Sequence, residues 1–145
     1  MREDNISIEK IWQGDDFFEA NVECSAKTIA ASTRVYVSNE QFSIFYKLLE
    51  SFLNNNAIQS VSWESGPKGN ETTPCVVFVF SKLDLQGHIC IEVFMELDDG
   101  GRLSDHTCCF FVNTETQSMY TFVQHLPLML NNDNIGYRVS LHKSR

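Results

Sequence analysis

The sequence predicts an α+β fold: a mostly antiparallel β-sheet with two helices packed on one face, in the order βββ-α-ββββ-α-β. Three observations predict it. Apolar and polar residues alternate over most of eight short stretches, the signature of half-buried strands. Apolar residues at helical spacing appear only twice, after Ser38 and after Thr114. The strands come in runs instead of alternating with helices, which favours antiparallel neighbours. With 145 residues, the chain reads as a single domain over 1–145. A domain of this length buries about 70% of its unfolded surface and needs no metal or disulfide staple.

Ile6-Ser7-Ile8 opens the first strand, which runs through Ile11 to Trp12 and stops at Gln13-Gly14-Asp15-Asp16. In the second, Phe18, Ala20, Val22 and Cys24 alternate with Phe17, Glu19, Asn21 and Glu23. After a turn at Ser25-Ala26-Lys27, the third sets Ile29, Ala31, Thr33, Val35 and Val37 against Thr28, Ser32, Arg34 and Tyr36. Short connections make these three an antiparallel meander. Ser38 with Gln41 three places on reads as a capping box: the serine oxygen takes an orphan N–H and Gln41 reaches back to the cap. Phe42, Phe45, Leu49 and Phe52 then form a helical core stripe that ends at Asn54-Asn55-Asn56.

Ile58 to Trp63 gives a short strand. Residues 64–74, with two glycines and two prolines, form a long hairpin loop. Cys75 to Phe80 is a dense apolar strand of the sheet centre. Asp84-Leu85-Gln86-Gly87 turns the chain into a strand with Ile89, Ile91, Val93, Met95 and Leu97 on one face. His88, Cys90, Glu92, Phe94 and Glu96 occupy the other. Asp98-Asp99-Gly100-Gly101 supplies the next turn, and Thr107 to Val112 the next strand. Thr114 with Gln117 repeats the capping-box pattern ahead of Met119, Phe122, Leu126 and Met129, and Pro127 must disturb the hydrogen bonding of this helix. Tyr137, Val139 and Leu141 alternate in a last strand.

Composition narrows the function. Nineteen acids against eleven bases give a net charge of −8, which argues against a nucleic-acid binder. No run of 18 apolar residues exists and the first 20 residues are acidic. A membrane span and a secretory signal are therefore not expected, and the expected location is cytoplasmic. The five cysteines are odd in number and none has C-x-x-C spacing, so the thiols read as free, and Cys24, Cys90, Cys108 and Cys109 as small buried hydrophobes. No phosphate-cradling loop, dinucleotide fingerprint, nucleophile elbow or metal-ligand spacing of histidines occurs. The expectation is a non-enzymatic chain with no catalytic residue, no metal and no cofactor. Two chemical alternatives stand beside it. His88 and His106 flank the ends of successive strands and would make an enzyme site, near Asp84 or Asp105, if the fold joined them. Glu92 and Glu96 share a strand face about 13 Å apart, beyond the reach of a glycosidase carboxylate pair.

The acids are unevenly spread: residues 107–145 hold two acids and three bases, and the remaining acids precede them. The densest stretch contains Glu92, Glu96, Asp98 and Asp99. With Tyr36 and Phe94 as aromatic anchors, these acids form the expected docking patch for a basic protein partner. Trp12, Phe17, Tyr36 and Trp63 near strand ends suit protein contact better than base stacking, because lysine and arginine are sparse. The alternative partner is a second copy of the chain, in a structural subunit that dimerises through its exposed sheet face.

Four stretches carry a family resemblance: Asp16-Phe17-Phe18 leading into alternating strands; Val35-Tyr36-Val37-Ser38-Asn39-Glu40 passing from strand to helix; Asp84-x-x-Gly87-His88-Ile89-x-Ile91-x-Val93 opening a long strand; and the closing helix and strand. Together they resemble the small WapI-like immunity proteins of bacterial polymorphic toxin systems, over most of the chain. The resemblance implies an intracellular protein that binds and neutralises a cognate toxin, often a nuclease. It carries over no catalytic residue.

Overall fold

The period-two alternation of the first three strands dictates a meander, and the computed structural model of the chain contains it. The structure describes residues 3–69, 72–98, 100–102 and 105–142. The elements are β1 (Asn5–Gln13), β2 (Phe17–Ser25), β3 (Ala30–Ser38), α1 (Asn39–Asn54), β4 (Ser60–Glu64), β5 (Val76–Lys82), β6 (His88–Glu96), β7 (Thr107–Glu115), α2 (Thr116–His125), a 3-10 turn over Leu126–Leu130, and β8 (Arg138–His142). This is the α+β class, in the expected order.

The strands divide into two four-stranded antiparallel sheets, β3-β2-β1-β8 and β4-β5-β6-β7. The division follows from connectivity. Helix α1 carries the chain about 24 Å between β3 and β4, so those strands do not pair, while β8 returns to the free edge of β1. The helices thus pack against the inner faces of both sheets. On α1, Phe42 meets Phe18 of the first sheet at 5.2 Å between ring centroids. Phe45 stacks on Trp63 of the second sheet at 4.2 Å. α2 lies against β7 and β8. One continuous core results, and removing an aromatic ring from it would cost about 3–5 kcal/mol.

Each cap departs from the sequence pattern in one respect. Ser38 Oγ accepts from the Gln41 N–H at 3.0 Å, but the Gln41 amide donates to the Glu64 carbonyl at 2.7 Å, tying α1 to β4 where a full capping box would bond within the helix. Thr114 is not the cap of α2: β7 runs on to Glu115, Thr114 is buried in the strand, and Thr116 Oγ1 donates to the Gly87 carbonyl at 3.2 Å. Pro127 ends the α-helical bonding as expected, leaving the 3-10 turn.

Lys10 points into the core and is 0% exposed. Its ammonium donates to the carbonyls of Met129 at 3.0 Å and Asn131 at 2.9 Å, satisfying the end of the 3-10 turn. Burial pushes its pKa below the ordinary value, and Asp133 partly offsets this. The cysteines are free; Cys24 and Cys75 are buried, and Cys90 and Cys108 half-buried. Cys109 is exposed, contrary to expectation, because its side chain stands on the outer face of edge strand β7. Among the described residues, no helix is long and apolar enough to cross a membrane.

Candidate protein-docking site

Strict alternation from Ile6 and Ile8 through Lys10 would place Trp12 in the core. A β-bulge prevents this. Lys10 pairs with Ala20, but Trp12 pairs with Glu19, so the β1 register shifts by one residue. Trp12 is thereby turned to the outer face. Glu19 pairs in turn with Tyr36 on β3, making one outward row across three strands. Phe17, at the start of β2, completes a ring cluster: its centroid lies 5.3 Å from that of Trp12 and 6.0 Å from that of Tyr36. Trp12 and Tyr36 stand 6.4 Å apart at 80°.

The β1–β2 turn is shaped around these rings. A Cβ on Gly14 would fall 3.0 Å from both Phe17 and Trp12, so glycine lets the rings close over the turn. The Gln13 side chain donates to the carbonyls of Gly14 at 2.7 Å and Phe17 at 3.2 Å. The Asn39 N–H, at the start of α1, donates to the Asp16 carbonyl at 2.9 Å. The rings are nonetheless wet: Trp12 is 45% and Tyr36 43% exposed. With Glu19 and Thr73 they line an open hollow of about 570 Å³. Asp15 and Asp16 stand exposed beside it.

Charge pairing differs along this face. Nearer its middle, Arg138 approaches Glu9 at 3.5 Å and Glu23 at 3.6 Å. Among the described residues, no cation forms an ion pair with Glu19. The aromatic end therefore keeps a carboxylate with no ion pair among the described residues, and the exposed Arg34 stands in the next outward row of β3.

The expected docking patch does not come together as one surface. Tyr36 belongs to the ring cluster on the first sheet. Glu92 is exposed on the outer face of the second, paired with Phe111 and Val79. Phe94 is half-buried there, with the Lys68 ammonium 4.0 Å from its ring centroid. Asp98 is exposed in the following turn, its carboxylate accepting from the Gly100 N–H at 3.3 Å. Asp99 lies outside the described residues. Glu96 requires correction: it is 2% exposed and no part of an accessible patch. Its carboxylate accepts from the Cys75 N–H at 2.9 Å and the Gly69 N–H at 3.1 Å, because the loop before β5 folds over it.

The histidine alternative is also corrected. His88 opens β6 opposite Glu115, whereas His106 precedes Thr107, which pairs with Glu96 at the other end of the strand. Eight strand residues separate these ends by about 26 Å. His88 does meet Asp84, Nδ1 to Oδ2 at 2.6 Å, and this hydrogen bond holds the Asp84 carboxyl below its ordinary value. Among the described residues, no group of three His, Cys, Asp or Glu side chains is placed to hold a metal ion.

The sequence groups Trp12, Phe17 and Tyr36 with Trp63 as strand-end aromatics; the structure buries Trp63 and joins the other three. The available signal was Gly14-Asp15-Asp16 following an aromatic and preceding another. No family model, no curated protein and no solved structure matches this chain.

Proposed function

We propose that the chain is a non-enzymatic protein-binding module that docks a basic protein on the aromatic end of its first sheet, and that it serves in the cytoplasm as an immunity protein neutralising a toxin. The observation that carries the docking reading is the Trp12–Phe17–Tyr36 cluster, with Trp12 and Tyr36 exposed, beside Glu19, which has no ion pair among the described residues. Tryptophan and tyrosine are enriched among the few residues that carry most of the binding energy at protein interfaces, and here they sit at a strand end. Asp15, Asp16 and the net charge of −8 would steer a basic partner toward them. A nuclease toxin fits that chemistry, since its phosphate-binding surface is basic. The family resemblance supports the same reading.

The test is a photoreactive phenylalanine at position 36, with a control at the exposed position 121 on α2. In the native cell, position 36 is expected to yield one crosslinked product whose partner is basic, lost when Glu19→Lys is added. No product, or equal products at both positions, overturns the reading. The toxin part is tested separately: cells making a basic toxin domain encoded beside this chain should survive only when the chain is made too.

A second reading, a homodimer through the outer face of the second sheet, is favoured by Phe111, which is 54% exposed there next to Glu92 and the exposed Cys109. Light scattering decides it: a monomer mass at tens of micromolar removes this reading.

A further inference from the structure

We infer that Trp12, Phe17, Tyr36 and Glu19 form a receptor for one arginine side chain of the protein partner. This deepens the docking reading and rests on it. The three centroids form a compact triangle with sides of 5.3, 6.0 and 6.4 Å. A cation seated over that triangle would lie within the roughly 6 Å range of all three rings at once. Trp12 and Tyr36 stand at 80° to each other, so a planar guanidinium stacked parallel to one ring would turn its N–H edge to the other. Glu19 lies between them in the cross-strand row, within reach of guanidinium N–H donors.

The chain makes cation–π contacts elsewhere with its own lysines. Lys68 sits over Phe94 at 4.0 Å, Lys82 over Phe52 at 4.7 Å, and Lys10 lies 5.4 Å from Phe18. Among the described residues, no lysine or arginine is placed over the Trp12 cluster. The ring cluster thus has a carboxylate beside it and, among the described residues, no lysine or arginine over its rings. Arginine fits an open, wet hollow better than lysine, because its planar guanidinium is weakly hydrated and stacks while donating sideways.

The experiment titrates the full chain with a capped Gly-Arg-Gly peptide and follows the two tryptophan indole N–H signals by NMR. Trp63 is buried, donates to the Gln41 carbonyl at 3.0 Å, and serves as the internal control. The Trp12 signal is expected to shift saturably while that of Trp63 stays. The citrulline peptide, neutral but of the same shape, should bind at least two- to fivefold more weakly, the scale of an exposed cation–π contact, and the lysine peptide should also bind more weakly than arginine, because an ammonium cannot stack while donating sideways. Glu19→Gln should weaken arginine binding several-fold. Tyr36→Leu, which keeps an apolar contact but removes a π face, should reduce the preference for arginine over citrulline. Equal binding of arginine and citrulline, or an undiminished preference in Tyr36→Leu, overturns the inference. If the arginine peptide leaves Trp12 unmoved while the crosslink at position 36 persists, the arginine receptor is wrong and the docking face stands. Loss of that crosslink removes the docking reading, independently of the titration.

Discussion

Trp12 stands directly opposite Glu19 across the β1–β2 pair, one place out of step with the alternation that buries Lys10. Alternation places the lysine, and one extra residue after it places the tryptophan. Lys10 is directed at the end of the 3-10 turn, and Trp12 is delivered to the outer face beside Tyr36. A core strand thereby becomes, within three residues, one edge of a surface cluster.

Deleting Ile11 tests this account of the bulge. The deletion removes the extra residue, and regular pairing would still set the tryptophan opposite Glu19. We predict a folded protein whose Trp12 stays accessible to iodide quenching, at a stability cost of about 1–3 kcal/mol for the lost half-buried isoleucine. A protein in which that tryptophan becomes protected would show that Ile11 does not set the register.

Cys24 gives a pH prediction. It is wholly buried, and burial pushes its thiol well above the ordinary range, with Cys108 and Glu23 adding to the shift. The unfolded thiol ionises near pH 8.5 while the folded one keeps its proton. Above that pH the folded state binds more protons than the unfolded state, so stability falls as pH rises. The contribution is fully present at pH 7 and drops by about 1.4 kcal/mol per pH unit once the unfolded thiol is ionised. Urea unfolding at pH 8 and pH 10 should therefore give a smaller alkaline loss in Cys24→Ala than in the parent. The difference isolates Cys24 from the other titrating groups, and identical slopes would refute the assignment.

The strands were legible because period-two alternation reports one buried face directly. Phe18, Ala20, Val22 and Cys24 are buried as that pattern requires. The division into two sheets was not, since alternation says which face is inside but not which strand is the neighbour. The candidate site was legible only in part. Tyr36 follows from alternation, but Trp12 reaches the surface through a bulge, and a bulge violates the rule used to read the strand. Glu96 failed for a different reason. Its face was correct, yet the loop before β5 covers it, and coverage depends on tertiary folding that no strand pattern encodes.

Glu96 should accordingly behave as a structural residue. Its carboxylate holds the Gly69 and Cys75 N–H groups, so Glu96→Ala leaves both donors unpaired. We predict a loss of about 2–4 kcal/mol in urea unfolding and faster tryptic cleavage at Lys68, which lies in the covering loop. Glu96→Gln, which keeps one acceptor, should lose roughly half as much. A stability unchanged by Glu96→Ala would mean that the loop is held by other contacts.

Charge reversal then separates the two outer faces. Glu19 is adjacent to the ring cluster, whereas Glu92 lies on the other sheet and Asp98 in the turn after it. If the partner docks on the first sheet, Glu19→Lys loses a local contact and also adds repulsion at the centre of the interface. Glu92→Lys alters only the long-range field, whereas Asp98, which lines a hollow with Asn21, Ser32 and Arg34 of the first sheet, is an intermediate case. The expected result is a slowing of association by about tenfold or more for Glu19→Lys at low salt, with the difference from Glu92→Lys shrinking as salt screens the field. Stopped-flow association rates with the crosslinked partner, measured at two salt concentrations, make the comparison. Equal slowing by all three substitutions would assign the acidity to steering alone, and a larger effect of Glu92→Lys would move the interface to the second sheet.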